Sequence, residues 1–467
     1  MKIIKSLAAL ICTAAMLFNS TAIAAKGYNF IPYVSDGEGG TTPVSLYSEA
    51  AYMVNLDTGD VIIDINSDEA RVPASLTKIM TAVVALEHFK DDPDALKTTY
   101  ASGDTEAFDE LYGTGASTAD IQPFEKVTYY DLLCALLIPS ACEAANIIAI
   151  DLGGSINKFC DMMNEESEKL GMKNSHFSNA HGLFTNQNYS SCHDMAILSK
   201  YALDNFPVFS EIVSKPTYNM PPTEEHPDGT LIINTNEMLD ETSDYYYSPV
   251  KGVKTGTLDD AGRCLVSVGS LDGKNYMIVT MGAPLYDVNK KPDPNNPDSY
   301  VDVLYNLIDH KALYQWAFYH MQSKDFINVS SEVIDVKVEF AEEADSVNLI
   351  PAEGFKRDWP DNIEDSEIIR TIDLKENIVA PVRKGDVLGT MTLTYKDMKL
   401  TTVDLVATSS LERSAADEKV RIAKSFTSSP EFKLCLSGII FLFVGYTAWF
   451  IYKLQRKYVR RDNKTDK

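Results

Sequence analysis

Three short stretches hold residues whose types and spacing suit acyl transfer. In PASLTKIM, Ser75 is followed three positions later by Lys78. A serine hydroxyl is a weak nucleophile until an adjacent base takes its proton. On a helix, residues three apart share a face, so the Lys78 amine can stand beside the Ser75 hydroxyl. A lysine serves as that base when burial or neighbouring positive charge lowers its pKa. Near a helix start, the Ser75 N–H can also point at a developing oxyanion.

The second stretch is KGVKTGTLDDAG, with Lys254, Thr255, Gly256 and Thr257 in succession. On a strand Lys254 and Gly256 point one way and Thr255 the other. An edge strand of this composition offers a cation, a hydroxyl and backbone that an extended substrate can join as an added strand. Gly256 permits close approach. The third stretch, LLIPSACEAAN, carries Ser140 and Cys142 just after Pro139. Residue types exclude other chemistries. There is no H-E-x-x-H or C-x-x-C, and the seven histidines are scattered, so neither a metal nor a cofactor is expected.

These residues need a frame. Residues 50–65 read as a hairpin around DTGD, and ASLTKIMTAVVALEHF reads as a central buried helix. Helical patterns run from Tyr129 to Ile150, Ser155 to Leu170 and Ser191 to Leu203. GRCLVSVGS and NYMIVTMGA are strands, KKPDPNNPDS reads as a flexible insertion, and a last helix is expected over Val301 to His320. Strands at both ends with helices between them predict an α+β domain over residues 46–320, helices packed on an antiparallel sheet. Residues 327–407 alternate as strands, with Ile334, Val336, Val338 and Phe340 on one face, and predict a small all-β domain.

The ends of the chain speak to location. Residues 1–24 have the layout of a secretory signal peptide, and residues 25–45 read as a linker. A polar, partly amphipathic stalk over residues 408–433 precedes an uncharged apolar segment over 434–452, long enough to cross a bilayer. The basic tail, 453–467, is expected on the cytoplasmic side. The expectation is an exported body held by a C-terminal membrane helix. The formal charge of the whole chain is −25, and the basic tail makes the exported body more acidic still, which sets it against nucleic acid partners. Cysteines are sparse and five of the seven lie between residues 134 and 264, an odd number. Cys134 and Cys142 would stand about 12 Å apart on one helix, too far to bridge.

In order and in context, S-x-x-K, S-x-x and K-T-G resemble the motifs of penicillin-binding proteins and serine β-lactamases. RVPASLTKIMTA, LGMKNSHFSNAHGL, YSSCHDMAILSKYAL and GVKTGTLDDAGRCLV narrow this to the D-alanyl-D-alanine carboxypeptidase family, the low-molecular-weight penicillin-binding proteins. The resemblance implies Ser75 as nucleophile, Lys78 as its base and Ser140 as a proton relay to the leaving amine. It implies that Lys254 keeps Lys78 neutral by its charge, that Thr255 binds the substrate carboxylate, and that the Ser75 and Thr257 N–H groups form the oxyanion hole. The implied partners are peptidoglycan stem peptides and, as covalent inhibitors, β-lactams. The family's second motif usually ends in asparagine, where this chain has Cys142. A thiol donates and accepts hydrogen bonds weakly, so slower turnover is expected. No basic residue for the substrate carboxylate is identified after MGAPLYDVNKK, and His181 and His193 are expected to be structural.

Overall fold

The computed structural model describes residues 28–35, 40–330, 334–342 and 344–462, so the expected signal peptide lies outside the described residues. The chain divides into two compact units, one ending at Met321 and the other beginning at Gln322.

The first unit is built on an antiparallel sheet. Its strands are β1 (Ala50–Asn55), β2 (Val61–Ile65), β3 (Val250–Leu258), β4 (Gly262–Leu271) and β5 (Lys274–Ala283), in the spatial order β2-β1-β5-β4-β3. The K-T-G segment therefore lies on an edge strand. The two faces of the sheet are divided by the strand alternation. On β4, Cys264 and Val266 join the core under the helices. Ser267, one residue on, instead meets His310 on the last helix of the unit (Tyr305–His320).

Helix α1 (Thr77–His88) fills the centre because ten of its residues, Thr77 to Leu86, are buried. It packs against α2 (Tyr129–Leu137), α3 (Cys142–Gly153), α4 (Ile156–Leu170) and α5 (Cys192–Asn205). Local capping fixes several boundaries. The side chains of Thr128, Ser155 and Ser191 each accept an N–H from the first turn of the helix they precede. Gly154 and Gly171 close α3 and α4 in the left-handed conformation.

Four expectations change. The pattern from Tyr129 to Ile150 is two helices, because Pro139 cannot continue α2; Cys134 and Cys142 thus lie on different helices, and both are free. The supposed linker is docked from residue 28: Tyr28 N and Phe30 N donate to Val61 O and Ile62 O, and the Phe30 and Tyr33 side chains are buried. Its aromatic rings have apolar surface to bury, and β2 offers an open edge. Within the expected insertion, Pro292–Asp293 pairs with Asn296–Tyr300. The last helix begins at Tyr305 instead of Val301.

In the second unit, five strands pair antiparallel in the spatial order Ile334–Lys337, Ser346–Pro351, Met398–Ala407, Val387–Tyr395 and Ile368–Leu374. Trp359 is buried against Phe326 and Tyr395. The unit begins several residues before 327, since Met321–Ile327 pairs with Phe355–Pro360. Val336 and Val338 are buried as expected, but Phe340 is half exposed. The chain turns through a left-handed conformation at Phe340, where the alternation ends. Helices follow over Ala415–Ser428 and Pro430–Asp462. Within the latter, Pro430–Arg456 is long and apolar enough to cross a membrane.

Candidate active site

Ser75 stands in a single 3₁₀ turn, Ala74–Leu76, that leads directly into α1. Ala74 is held at φ 49°, a left-handed conformation that costs a non-glycine residue about 1–2 kcal/mol. Gly182 shares the responsibility for that turn: a Cβ there would stand 2.0 Å from Ala74 O. The residues around Gly182 are clamped to α1, with Thr81 Oγ1 donating to Ala180 O at 2.6 Å and Asn188 Nδ2 to Thr77 Oγ1 at 3.0 Å.

Lys78 is fully buried. Its Nζ donates to Ser75 Oγ at 3.0 Å, to the backbone carbonyl of His181 at 2.6 Å and to Cys142 Sγ at 3.4 Å. The helical spacing thus brings Lys78 to Ser75, and Cys142 stands beside the same amine. Burial pushes the Lys78 amine below its usual range, against the pull of Cys142 and Glu143. Lys254 is also buried and is pushed well down, first by burial and then by the Lys78 charge. Burial and like charge therefore both favour the neutral amine here. Burial is the leading cause at both amines, and the repulsion between Lys78 and Lys254 acts in the same direction.

Ser140 adopts φ 71° in the break after Pro139. Two neighbours hold the break: Cys142 N donates to Ser117 O at 2.8 Å, and Thr235 N to Ile138 O at 3.1 Å. Ser140 Oγ is buried and has no protein partner. It lines one cavity of about 340 Å³ with Ser75, Thr255, Gly256 and Thr257. Lys254 lies behind that wall, its Nζ donating to Thr255 O at 3.2 Å. Gly256 is needed for the contact between β3 and the turn that holds Ser75: an added Cβ would meet Pro73 O at 3.0 Å and Ser75 N at 3.2 Å.

Other residues at the site carry no motif. Thr235 Oγ1 shares a 2.5 Å hydrogen bond with Thr255 Oγ1, and Ser117, Glu237, Arg263 and Asn306 line the same cavity. Asn146, one turn beyond Cys142, donates to Ala107 O and Glu110, away from Lys78. His181 holds Lys78 through its main chain, while its ring meets Glu110 at 2.9 Å. His193 pairs with Asp68. Among the described residues no group of acidic, histidine and cysteine side chains is arranged to hold a metal ion.

The profile of the family described as D-alanyl-D-alanine carboxypeptidase matches residues 38–285, more than half of the chain. The chain belongs to that family. The profile of the penicillin-binding protein 5 C-terminal domain matches residues 322–413. Among relatives, the D-alanyl-D-alanine carboxypeptidase DacF of Bacillus subtilis is 27% identical over 355 residues, which is 76% of this chain and 83% of that one. Penicillin-binding protein 5 from Haemophilus influenzae shares the fold at a TM-score of 0.54 and 23% identity, over 80% of this chain and 100% of its own. The Streptomyces K15 DD-transpeptidase aligns at a TM-score of 0.50 and 26% identity, over 59% of this chain and 99% of its own. Alanine variants of that transpeptidase have been solved at a serine and at a cysteine two positions further on, the spacing of Ser140 and Cys142. The α+β architecture with a β-rich C-terminal unit is that of penicillin-binding protein 5.

Proposed function

We infer that this family member is a serine-type D-Ala-D-Ala carboxypeptidase that trims peptidoglycan stem pentapeptides to tetrapeptides during cell wall maturation. The observation that carries the reading is the 3.0 Å contact between Ser75 Oγ and the buried Lys78 amine, beside a cavity that Ser75 and Ser140 both line. Ser75 Oγ attacks the carbonyl carbon of the penultimate D-alanine as Lys78 Nζ takes its proton. The oxyanion is received by the Ser75 and Thr257 N–H groups, a contribution of about 3–4 kcal/mol per donor. Ser140 passes a proton to the leaving D-alanine nitrogen, the C–N bond breaks, and the serine ester remains. Water then hydrolyses the ester, with the lysine again acting as base. Thr255 binds the terminal carboxylate, Gly256 lets the peptide lie close to β3, and Lys254 sets the charge behind the site. Cys142 stands where an asparagine would join Lys78 to the substrate. A β-lactam acylates Ser75 by the same attack.

D-Alanine release from a synthetic stem pentapeptide tests this. Peptide binding without release anywhere across about pH 6–10 would refute it in favour of a wall-binding scaffold. Labelled penicillin separates the hydrolytic rival: a stable adduct on Ser75 fits the carboxypeptidase, rapid release of opened drug a β-lactamase. One observation favours a second outcome for the acyl-enzyme, transfer to an amine instead of water: the Ser-x-Cys spacing shared with the solved transpeptidase variants. Adding an amine acceptor to the same assay measures that partition.

The location proposed for the catalytic unit is the extracytoplasmic side of the cell membrane, with Pro430–Arg456 as a single-pass C-terminal anchor. Ending the chain before Pro430 is expected to move the protein from the membrane fraction to the soluble one. Retention in the membrane would overturn the anchor.

A further inference from the structure

Lys78 Nζ meets three groups, Ser75 Oγ, the His181 carbonyl and Cys142 Sγ, and their chemistry differs. A neutral amine has two hydrogens and one lone pair, and it takes the Ser75 proton only when the lone pair faces that hydroxyl. Its hydrogens must then go to the other two partners. The His181 carbonyl at 2.6 Å accepts one strongly, whereas Cys142 Sγ at 3.4 Å is a weak acceptor. The aim of the amine in this chain thus depends mainly on one main-chain oxygen.

That oxygen is set from further away. Leu183 N donates to His181 Nδ1 at 3.1 Å, and burial lowers the pKa of the ring, so the imidazole is neutral with its proton on Nε2. Nε2 donates to Glu110 Oε1 at 2.9 Å, and Asn146 Nδ2 donates to the same oxygen at 2.9 Å. Asn146 lies one turn beyond Cys142 on α3. A single carboxylate oxygen therefore spans the two segments that bring the His181 carbonyl and Cys142 Sγ to Lys78. Asn179 and Thr81 fix the neighbouring peptides, and Glu110 adds the link to α3. Glu110 follows the short helix Glu106–Asp109, is half exposed and is not part of the cavity wall. The His181 hydrogen bond holds its carboxyl below the usual range, so it is ionised at neutral pH. We propose that Glu110 is a positioning residue for acyl transfer: by holding His181 and Asn146 together, it keeps the His181 carbonyl on Lys78 and the amine lone pair on Ser75. This rests on the carboxypeptidase reading, in which Lys78 is the base. Because Cys142 holds the amine weakly, the contributions of Glu110 and position 142 are coupled.

The test is a double-mutant cycle in the full chain, with Glu110→Ala and Glu110→Gln made alone and together with Cys142→Asn. D-Alanine release from a stem pentapeptide and the rate of acylation by labelled penicillin are measured, both per site that labels at completion. Glu110→Ala is expected to lower kcat and the acylation rate by about tenfold, with KM within about twofold. Glu110→Gln keeps an acceptor oxygen for both donors and stays within about threefold of wild type. Beside Cys142→Asn, the loss from Glu110→Ala shrinks to about threefold, because the asparagine oxygen supplies a second strong acceptor. Glu110→Asp, one methylene short of both donors, gives the same pattern and serves if the alanine variant does not fold. No loss from Glu110→Ala, a Gln variant as slow as the Ala one, or the same factor lost in both backgrounds overturns the proposal. A wild type that is acylated by penicillin but releases no D-alanine refutes the carboxypeptidase reading, and the acylation rates alone then decide the role of Glu110. One that does neither overturns both.

Discussion

The turns that present Ser75 and Ser140 make an instructive pair. Each has a non-glycine residue in the left-handed region, Ala74 at φ 49° in one and Ser140 itself at φ 71° in the other. Their hydroxyls differ in company. Ser75 Oγ has the Lys78 amine at 3.0 Å, whereas Ser140 Oγ is buried without a protein partner. In the first turn strain is placed next to Ser75 and its hydroxyl is paired. In the second the strained residue and the unpaired hydroxyl are the same. On the roles proposed above, the attacking serine has a fixed base, and the relaying serine has a hydroxyl that no protein group occupies.

The largest separation of the two turns comes from alanine. Ser75→Ala is expected to abolish penicillin labelling and to lower turnover by about 10⁴-fold or more. Ser140→Ala keeps labelling and loses about 10²–10³-fold, measured as D-alanine release. Equal losses would erase the distinction between nucleophile and relay.

Next in size is Cys142→Asn, which restores a full hydrogen-bonding amide beside Lys78 and is expected to raise kcat by about tenfold. It also removes an influence that holds the Lys78 pKa up. The acid limb of the kcat/KM–pH profile should therefore move to lower pH. No gain in turnover would mean that the thiol is no handicap.

In wild type the sign of the pH effect is set by the lowered pKa of Lys78 and Lys254. Between their folded values and the ordinary 10.5, the unfolded chain binds more protons than the folded one. Stability and activity should both rise with pH as that window is entered from the acid side. Thermal melts and kcat/KM recorded in parallel check this, and activity that declines over that rise counts against Lys78 as base.

The smallest effect is on stability. Ser140→Gly removes both the strain and the unpaired hydroxyl at a cost in unfolded-chain entropy, for a net gain of about 0.5–1 kcal/mol. Its melting temperature should rise slightly while its activity falls with that of Ser140→Ala. Ser75→Ala should leave the melting temperature nearly unchanged, because the strain beside it belongs to Ala74.

Much of this site was legible from local rules. The three-residue spacing of Ser75 and Lys78 depends only on a helical turn, and the place of Lys254 behind Thr255 only on strand alternation. Less visible were the groups supplied by distant parts of the chain: the His181 carbonyl on Lys78, Thr235 against Thr255, and Arg263 across from Thr257. No periodicity reports a main-chain carbonyl or a cross-strand neighbour. Pro139 was a signal in plain view, yet the apolar run on either side reads as one helix because both α2 and α3 are buried on nearly every face. The docking of Tyr28, Phe30 and Tyr33 was hidden by the glycines and small polar residues around them.

On the extracytoplasmic side proposed for the catalytic unit, the cysteines bear on how the domain withstands oxidants. Cys134, Cys142, Cys160, Cys192 and Cys264 are all free and all buried. Their protection from oxidants is therefore packing, not pairing, and it exists only while the domain is closed. Maturation becomes a race between burial of these thiols and their oxidation, and a thiol-reactive dye added to the native protein would time how often the core opens.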